Sequence, residues 1–144
     1  MKISTKGRYG LQAMIDLALY SQNDLVPLAS IAERQDISKS YLEQVFSILR
    51  KAGLVKSTKG AQGGYMLTSD AKDITVGMIL RALEGDLSVV PMDDENTTNR
   101  IESYIRDNIW NRIDEKVFAL IDEITLQSIM DDYLKKDPAP MYYI

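Results

Sequence analysis

Residues 27–67, PLASIAERQDISKSYLEQVFSILRKAGLVKSTKGAQGGYML, hold two short helical patterns, a tight turn between them, and a basic hairpin punctuated by glycines. In the second pattern Leu42, Val45, Phe46, Leu49 and Ala52 recur at helical spacing, which leaves Ser40, Glu43, Gln44, Ser47 and Lys51 on the outer face. A polar face of that kind can reach base edges. Ser38 suits the N-cap of this helix and Gly53 its C-terminal stop. The run 54–57, the turn Gly60-Ala61-Gln62-Gly63-Gly64 and the strand Tyr65-Met66-Leu67 then read as a wing behind a helix-turn-helix. The pattern points to nucleic acid.

Upstream, a first helix is expected from Thr5 or Lys6 toward Ser21, with Leu11, Met14, Ile15, Ala18 and Leu19 as its apolar face. Asn23, Asp24 and Pro27 break it, a helix over 28–35 presents Leu28, Ile31 and Ala32, and Asp36-Ile37-Ser38 makes the turn. Downstream, Thr75 can cap a helix over 76–84 whose Met78, Ile79, Ala82 and Leu83 face inward, and Gly85 ends it. The stretch DLSVVPMDDENTTN, 86–99, reads as a connecting loop.

One long helix is expected over 98–123, where Ile101, Ile105, Ile109, Ile113, Val117, Leu120 and Ile124 are spaced by threes and fours and Trp110, Phe118 and Ile121 widen the stripe. At 1.5 Å per residue it would span roughly 40 Å, more than a domain of this size needs for its own packing. A partner helix is expected to cover the surplus, through Ile105, Ile109, Ile113, Val117 and Leu120. Thr125 caps a last helix to about Lys136, and Pro138 and Pro140 force 141–144 into an extended tail. The fold class is therefore mainly α with a small β-hairpin wing, divided as a winged helix-turn-helix at 1–85, a connection at 86–99, dimerisation helices at 100–136 and a tail at 137–144.

Composition narrows the chemistry. The 144 residues contain no cysteine and no histidine, which removes disulfides, thiolate nucleophiles, zinc-thiolate sites, cysteine-ligated iron–sulfur clusters and Ser-His-Asp triads. No carboxylate pair marks a recognisable cleft, so the chain does not read as an enzyme. No apolar run approaches a membrane span, and the start, MKISTKGRYG, lacks the apolar core of a secretory signal, so a cytoplasmic location is expected. The net charge of −4 is unevenly spread. Residues 1–65 hold nine Lys/Arg and five acids, a surplus of +4, whereas the remainder holds eight and sixteen, a deficit of −8. Charge acts over about a Debye length, so a basic amino-terminal half can bind phosphate while an acidic half stays clear of it.

Four linked segments, KGRYGLQAM at 6–14, LASIAERQDIS at 28–38, SYLEQVFSILRKAGLV at 40–55 and KGAQGGYML at 59–67, resemble the Rrf2 family of bacterial winged-helix transcription regulators. That family includes an iron–sulfur regulator, a nitric-oxide sensor and a cysteine-metabolism repressor. The resemblance is close over 1–85 and implies a homodimer on pseudo-palindromic double-stranded DNA, recognition helix in the major groove and wing in the minor groove. In that setting Glu43 could accept from cytosine N4, Gln44 could pair with adenine, and Ser38 or Ser40 could meet a base edge or phosphate. Lys59, where family members often carry arginine, would enter the minor groove and read its width less sharply, being more strongly hydrated. Lys6, Arg8, Tyr9, Tyr41, Arg50, Lys51 and Lys56 are candidates for the DNA backbone. Tyr9 and Tyr41 fit half-buried packing equally well, and Glu43 fits a solvated helical acid. Gly60, Gly63 and Gly64 would supply positive φ and close backbone approach in the wing turn.

One departure bears on mechanism. Cluster-binding members carry three cysteines before the long helix, where this chain has Asp93, Asp94 and Glu95; a solvated loop, without metal or cofactor, is the expectation there. The ending PMYYI is similar to the tail of the cysteine-metabolism repressor, which implies docking of Tyr142, Tyr143 and Ile144 into cysteine synthase; the alternative is a tail folded over the dimer core. The reading is thus a repressor of cysteine or sulfur metabolism genes. Two others stay open: an interaction subunit that modulates a metabolic enzyme through its tail, and a cluster-free regulator holding a small molecule near Trp110 and Met78.

Overall fold

Three helices build the amino-terminal half of the computed structural model, which describes residues 1–22, 24–60, 63–91 and 98–136. They are α1 (Thr5–Tyr20), α2 (Leu28–Gln35) and α3 (Lys39–Lys51). Ser4 and Ser38 cap α1 and α3 by accepting the N–H groups of Gly7 and Tyr41, and Pro27 precedes α2. Asp36 follows α2 in the left-handed region, φ 53°, and turns the chain into α3; Gly53, φ 80°, stops α3.

The faces expected to be apolar are buried together. Leu42, Val45, Phe46 and Leu49 of α3 meet Ala13, Met14 and Leu17 of α1 and Ile31 of α2. Each such large side chain contributes about 1.5–3 kcal/mol on full burial, so the orientation of α3 is set by its inner face. Ala52 departs from the expected pattern and is exposed, because it caps α3 where the chain turns away. Beneath α2, Asp16 is 1% exposed yet fully partnered. It accepts from Arg34 Nη2 at 2.7 Å, Arg34 Nε at 2.9 Å and Gln35 Nε2 at 2.7 Å, and the guanidinium lies 3.9 Å above the Tyr20 ring. These bonds hold the Arg34 guanidinium above its ordinary value and fasten α2 to α1.

The wing is an antiparallel pair, β1 (Val55–Thr58) and β2 (Gly64–Leu67), with Lys56 opposite Met66 and Thr58 opposite Gly64. Val26 adds a single rung from a third segment to β2, its N–H donating to Tyr65 O at 2.9 Å and its carbonyl accepting the Tyr65 N–H at 2.8 Å. A short 3-10 turn (Ala71–Asp73) leads to α4 (Val76–Glu84), capped by Thr75. Met78, expected inward, is exposed; its sulfur lies 3.5 Å from the Thr75 N–H at the start of the helix.

The long helix is realised as α5 (Arg100–Ile105), a π-helical turn (Arg106–Trp110) and α6 (Asn111–Glu123), with right-handed helical backbone through both junctions. The apolar series counted along the sequence divides between two faces, one packed on the head and one left outward, and the division falls within α6 itself. Phe118, Ile121 and Ile124 pack against Val76, Leu80 and Leu87. Ile101, Tyr104, Ile109, Ile113 and Leu120 face outward, Ile101 with 73% and Leu120 with 58% of its surface exposed, while Ile105 and Val117 are half-buried.

The division by sequence groups the last helix, α7 (Leu126–Lys136), with the dimerisation helices; its packing joins it to the head instead. Leu126 and Met130 sit in the same core as Met14 and Phe46. The reason is local: Val76 N–H donates to Ile124 O and Leu126 N–H to Ile74 O, both at 2.9 Å, which folds the chain back beside the start of α4.

Candidate nucleic-acid interface

Because the inner face of α3 is locked in the core, its outer edge is fixed as well. Ser40, Glu43, Gln44 and Lys51 are exposed there, and Ser47 is half-buried. Ser38 Oγ accepts the Tyr41 N–H at 3.1 Å and lies 3.3 Å from Ser40 Oγ.

Tyr9 of α1 meets Tyr41 in the first turn of α3 edge to face, ring centres 6.0 Å apart. The two rings pack on each other, Tyr41 half-buried and Tyr9 with 38% of its surface exposed. The contact brings the first turns of α1, with exposed Lys6 and Arg8, beside the start of the recognition helix. Arg8 Nη2 donates to Thr5 Oγ1 at 3.1 Å. Arg50, Lys51, Lys56 and Lys59 are also exposed and, among the described residues, have no ion-pair partner. Unpaired cations of this kind can exchange solvent counterions for phosphate.

In the wing turn only Gly60 of the three named glycines has positive φ, 119°. Gly63 and Gly64 correct the expectation that all three supply it. A Cβ at Gly63 would overlap the Thr58 carbonyl, and one at Gly64 would meet the Val26 backbone, so these two are small because neighbouring chain passes close by. Ala61 and Gln62 lie outside the described residues.

Two contacts that position the interface are not evident from periodicity. Tyr65 of β2 packs edge to face on Phe46 of α3, ring centres 4.9 Å apart, and ties the wing to the recognition helix. Glu84, at the end of α4, bonds to the start of α1. The signal for the second was present in KGRYG, whose glycines three residues apart in a helix mark a close approach.

Trp110 lines a surface groove of about 320 Å³ with Asn99, Ile101, Glu102 and Ile105. Met78 is not among the residues that line this groove. Asp93, Asp94 and Glu95, like Tyr142, Tyr143 and Ile144, lie outside the described residues. Among the described residues no group of three or more carboxylates could hold a metal ion.

Comparison with known proteins places these features. The family model for Rrf2, described as iron-dependent transcriptional regulator, matches residues 3–132. The regulator IscR of Photobacterium profundum is 42% identical over 132 residues, 92% of this chain and 77% of that protein. The solved structure of CymR, the global cysteine regulator of B. subtilis, superposes with a TM-score of 0.77 at 43% identity, covering 90% of this chain and 95% of that one. IscR of T. potens gives 0.77 at 43% identity over 99% and 97% of the two chains. An iron–sulfur cluster, the group that the family implies, needs thiolates or imidazoles as its usual donors, and a chain without cysteine or histidine has none. The donor set does not fit that group. With its exposed recognition helix, paired wing and these relatives, the chain belongs to the Rrf2 family and is a winged-helix, DNA-binding transcription regulator, not an enzyme.

Proposed function

We propose that the protein represses genes of cysteine or sulfur metabolism in the cytoplasm, binding pseudo-palindromic operators as a homodimer. The observation that carries the reading is the split of α3: four apolar residues fix it in the core, while Ser40, Glu43 and Gln44 are exposed along one edge. The exposed apolar stripe Ile101, Tyr104, Ile109, Ile113 and Leu120 supports a second copy across the long helix. Half-sites one helical turn of DNA apart, or a multiple of it, follow from two such heads. Similarity to the B. subtilis global cysteine regulator supports the choice of target genes. Docking of Tyr142, Tyr143 and Ile144 into cysteine synthase belongs to the same reading and rests on the segment PMYYI.

The test is selection of bound fragments from genomic DNA, with and without added cysteine synthase. Enrichment of palindromic sites upstream of sulfur genes is expected; enrichment elsewhere rejects the target, and no enrichment under either condition rejects operator binding.

A further inference from the structure

We propose that Glu84 is a positioning residue for DNA binding: from the last turn of α4 its carboxylate holds the first turn of α1, and with it Lys6, Arg8 and Tyr9, at the DNA-facing edge. The inference rests on the DNA-binding reading above.

The geometry is specific. Glu84 Oε1 accepts from the Ser4 N–H at 3.0 Å, the Ser4 hydroxyl at 2.5 Å and the Gly7 N–H at 3.0 Å. These backbone donors belong to the start of α1, where helical N–H groups have no partner within the helix and where negative charge is favoured. Ser4 and Gly7 flank Lys6, and Arg8 follows. Two glycines make the approach possible. A Cβ at Gly7 would overlap Glu84 Oε1, and a Cβ at Gly10 would overlap Leu83 Cδ1. The KGRYG segment thus places its cations on a turn whose glycines receive the end of α4. One turn further along α1, Tyr9 meets Tyr41 at the start of the recognition helix. The start of α1 thus touches α4 through Ser4 and Gly7 and α3 through Tyr9.

Charge alone makes the opposite prediction. A carboxylate beside Lys6 and Arg8 lowers the positive potential that attracts phosphate, so its removal should tighten binding if it has no positioning role. The sign of the effect separates the two.

The experiment uses the full chain and an operator duplex taken from the genomic selection, with affinity measured across a salt series. Glu84→Ala is expected to bind about tenfold more weakly, with the slope of log K against log salt reduced by about 1–2 as one or two phosphate contacts are lost. Glu84→Gln keeps an oxygen acceptor and should recover most of both. Gly7→Ala leaves every charge in place and favours the helix, yet should reproduce the Glu84→Ala effect by displacing the carboxylate. Melting curves accompany each variant. Unchanged or tighter binding by Glu84→Ala and Gly7→Ala, with the wild-type slope, overturns the inference while leaving operator binding intact. Loss of cooperative melting in both variants also overturns it, by making Glu84 a residue of stability alone. Absence of selective binding by the wild-type chain overturns this inference and the DNA-binding reading together.

Discussion

Arg81 of α4 and Asp122 of α6 face each other through two bonds, Nη1 to Oδ1 at 2.6 Å and Nη2 to Oδ2 at 3.1 Å, and so join the DNA-binding head to the long helix. Gly77 leaves room for the pair, since a Cβ there would overlap Asp122 Oδ1, and the Arg81 guanidinium lies 5.1 Å from the Phe118 ring. Both side chains are partly exposed, so the pair contributes about 0–1 kcal/mol.

Its pH dependence has a definite sign. The hydrogen bonds from Arg81 hold the Asp122 carboxyl below its ordinary value of 3.8. A depressed carboxyl contributes stability above the unfolded value and loses it as pH falls through the folded one. Asp122→Asn should therefore melt slightly below wild type at neutral pH, with the gap closing in acid below about pH 4. Thermal melts over an acid series measure this; a gap that is the same at every pH would rule the pair out as its source.

Gly64→Ala tests why the wing glycines are small. The added methyl would press on the Val26 backbone, and backbone cannot rotate aside as a side chain can. The expected cost exceeds about 1 kcal/mol. A urea titration measures it, and an unchanged midpoint would show that the Val26 rung is dispensable.

Base reading and phosphate attraction should separate by residue. Gln44→Ala is expected to lose about 1–3 kcal/mol of discrimination at one base position while keeping the salt dependence. Lys56→Ala, at a backbone candidate, should weaken binding to all sequences alike and reduce the salt slope by about 1. Competition with single-base operator variants distinguishes the two, and an identical pattern for both substitutions would contradict the assignment.

Leu120→Asp, on the exposed side of α6, places a charge where a second copy is proposed to pack. Light scattering should then report a monomer with an unchanged circular dichroism spectrum, and operator affinity should fall steeply as one half-site is lost. A variant that stays dimeric would move the interface elsewhere along the stripe.

Helices, caps and wing were legible because they are written locally. Ser38 caps α3, Thr75 caps α4, and Gly53 and Gly85 stop their helices, each within a few residues of the pattern that it ends. The candidate interface was legible for the same reason: with Leu42, Val45, Phe46 and Leu49 committed inward, the polar residues between them have one direction left. Periodicity misled where neighbours far along the chain intervene. Met78 fits the inward face by count but is exposed at the start of α4, and the apolar series that reads as one stripe in sequence divides between a face packed on Val76, Leu80 and Leu87 and a face left exposed.

By itself, then, the sequence determined a helix-turn-helix with a wing, a basic head, a long apolar helix and the lack of any thiolate for a metal cluster, because spacing, capping chemistry and composition belong to one chain segment at a time. Only the tertiary structure decided that α7 joins the core of the head, that Val26 completes the wing, that Tyr65 fastens the wing to Phe46, and that Glu84 closes the start of α1. Those are contacts between segments distant in sequence, and which of many compatible partners meet is settled by the shape left when all the apolar faces are buried at once.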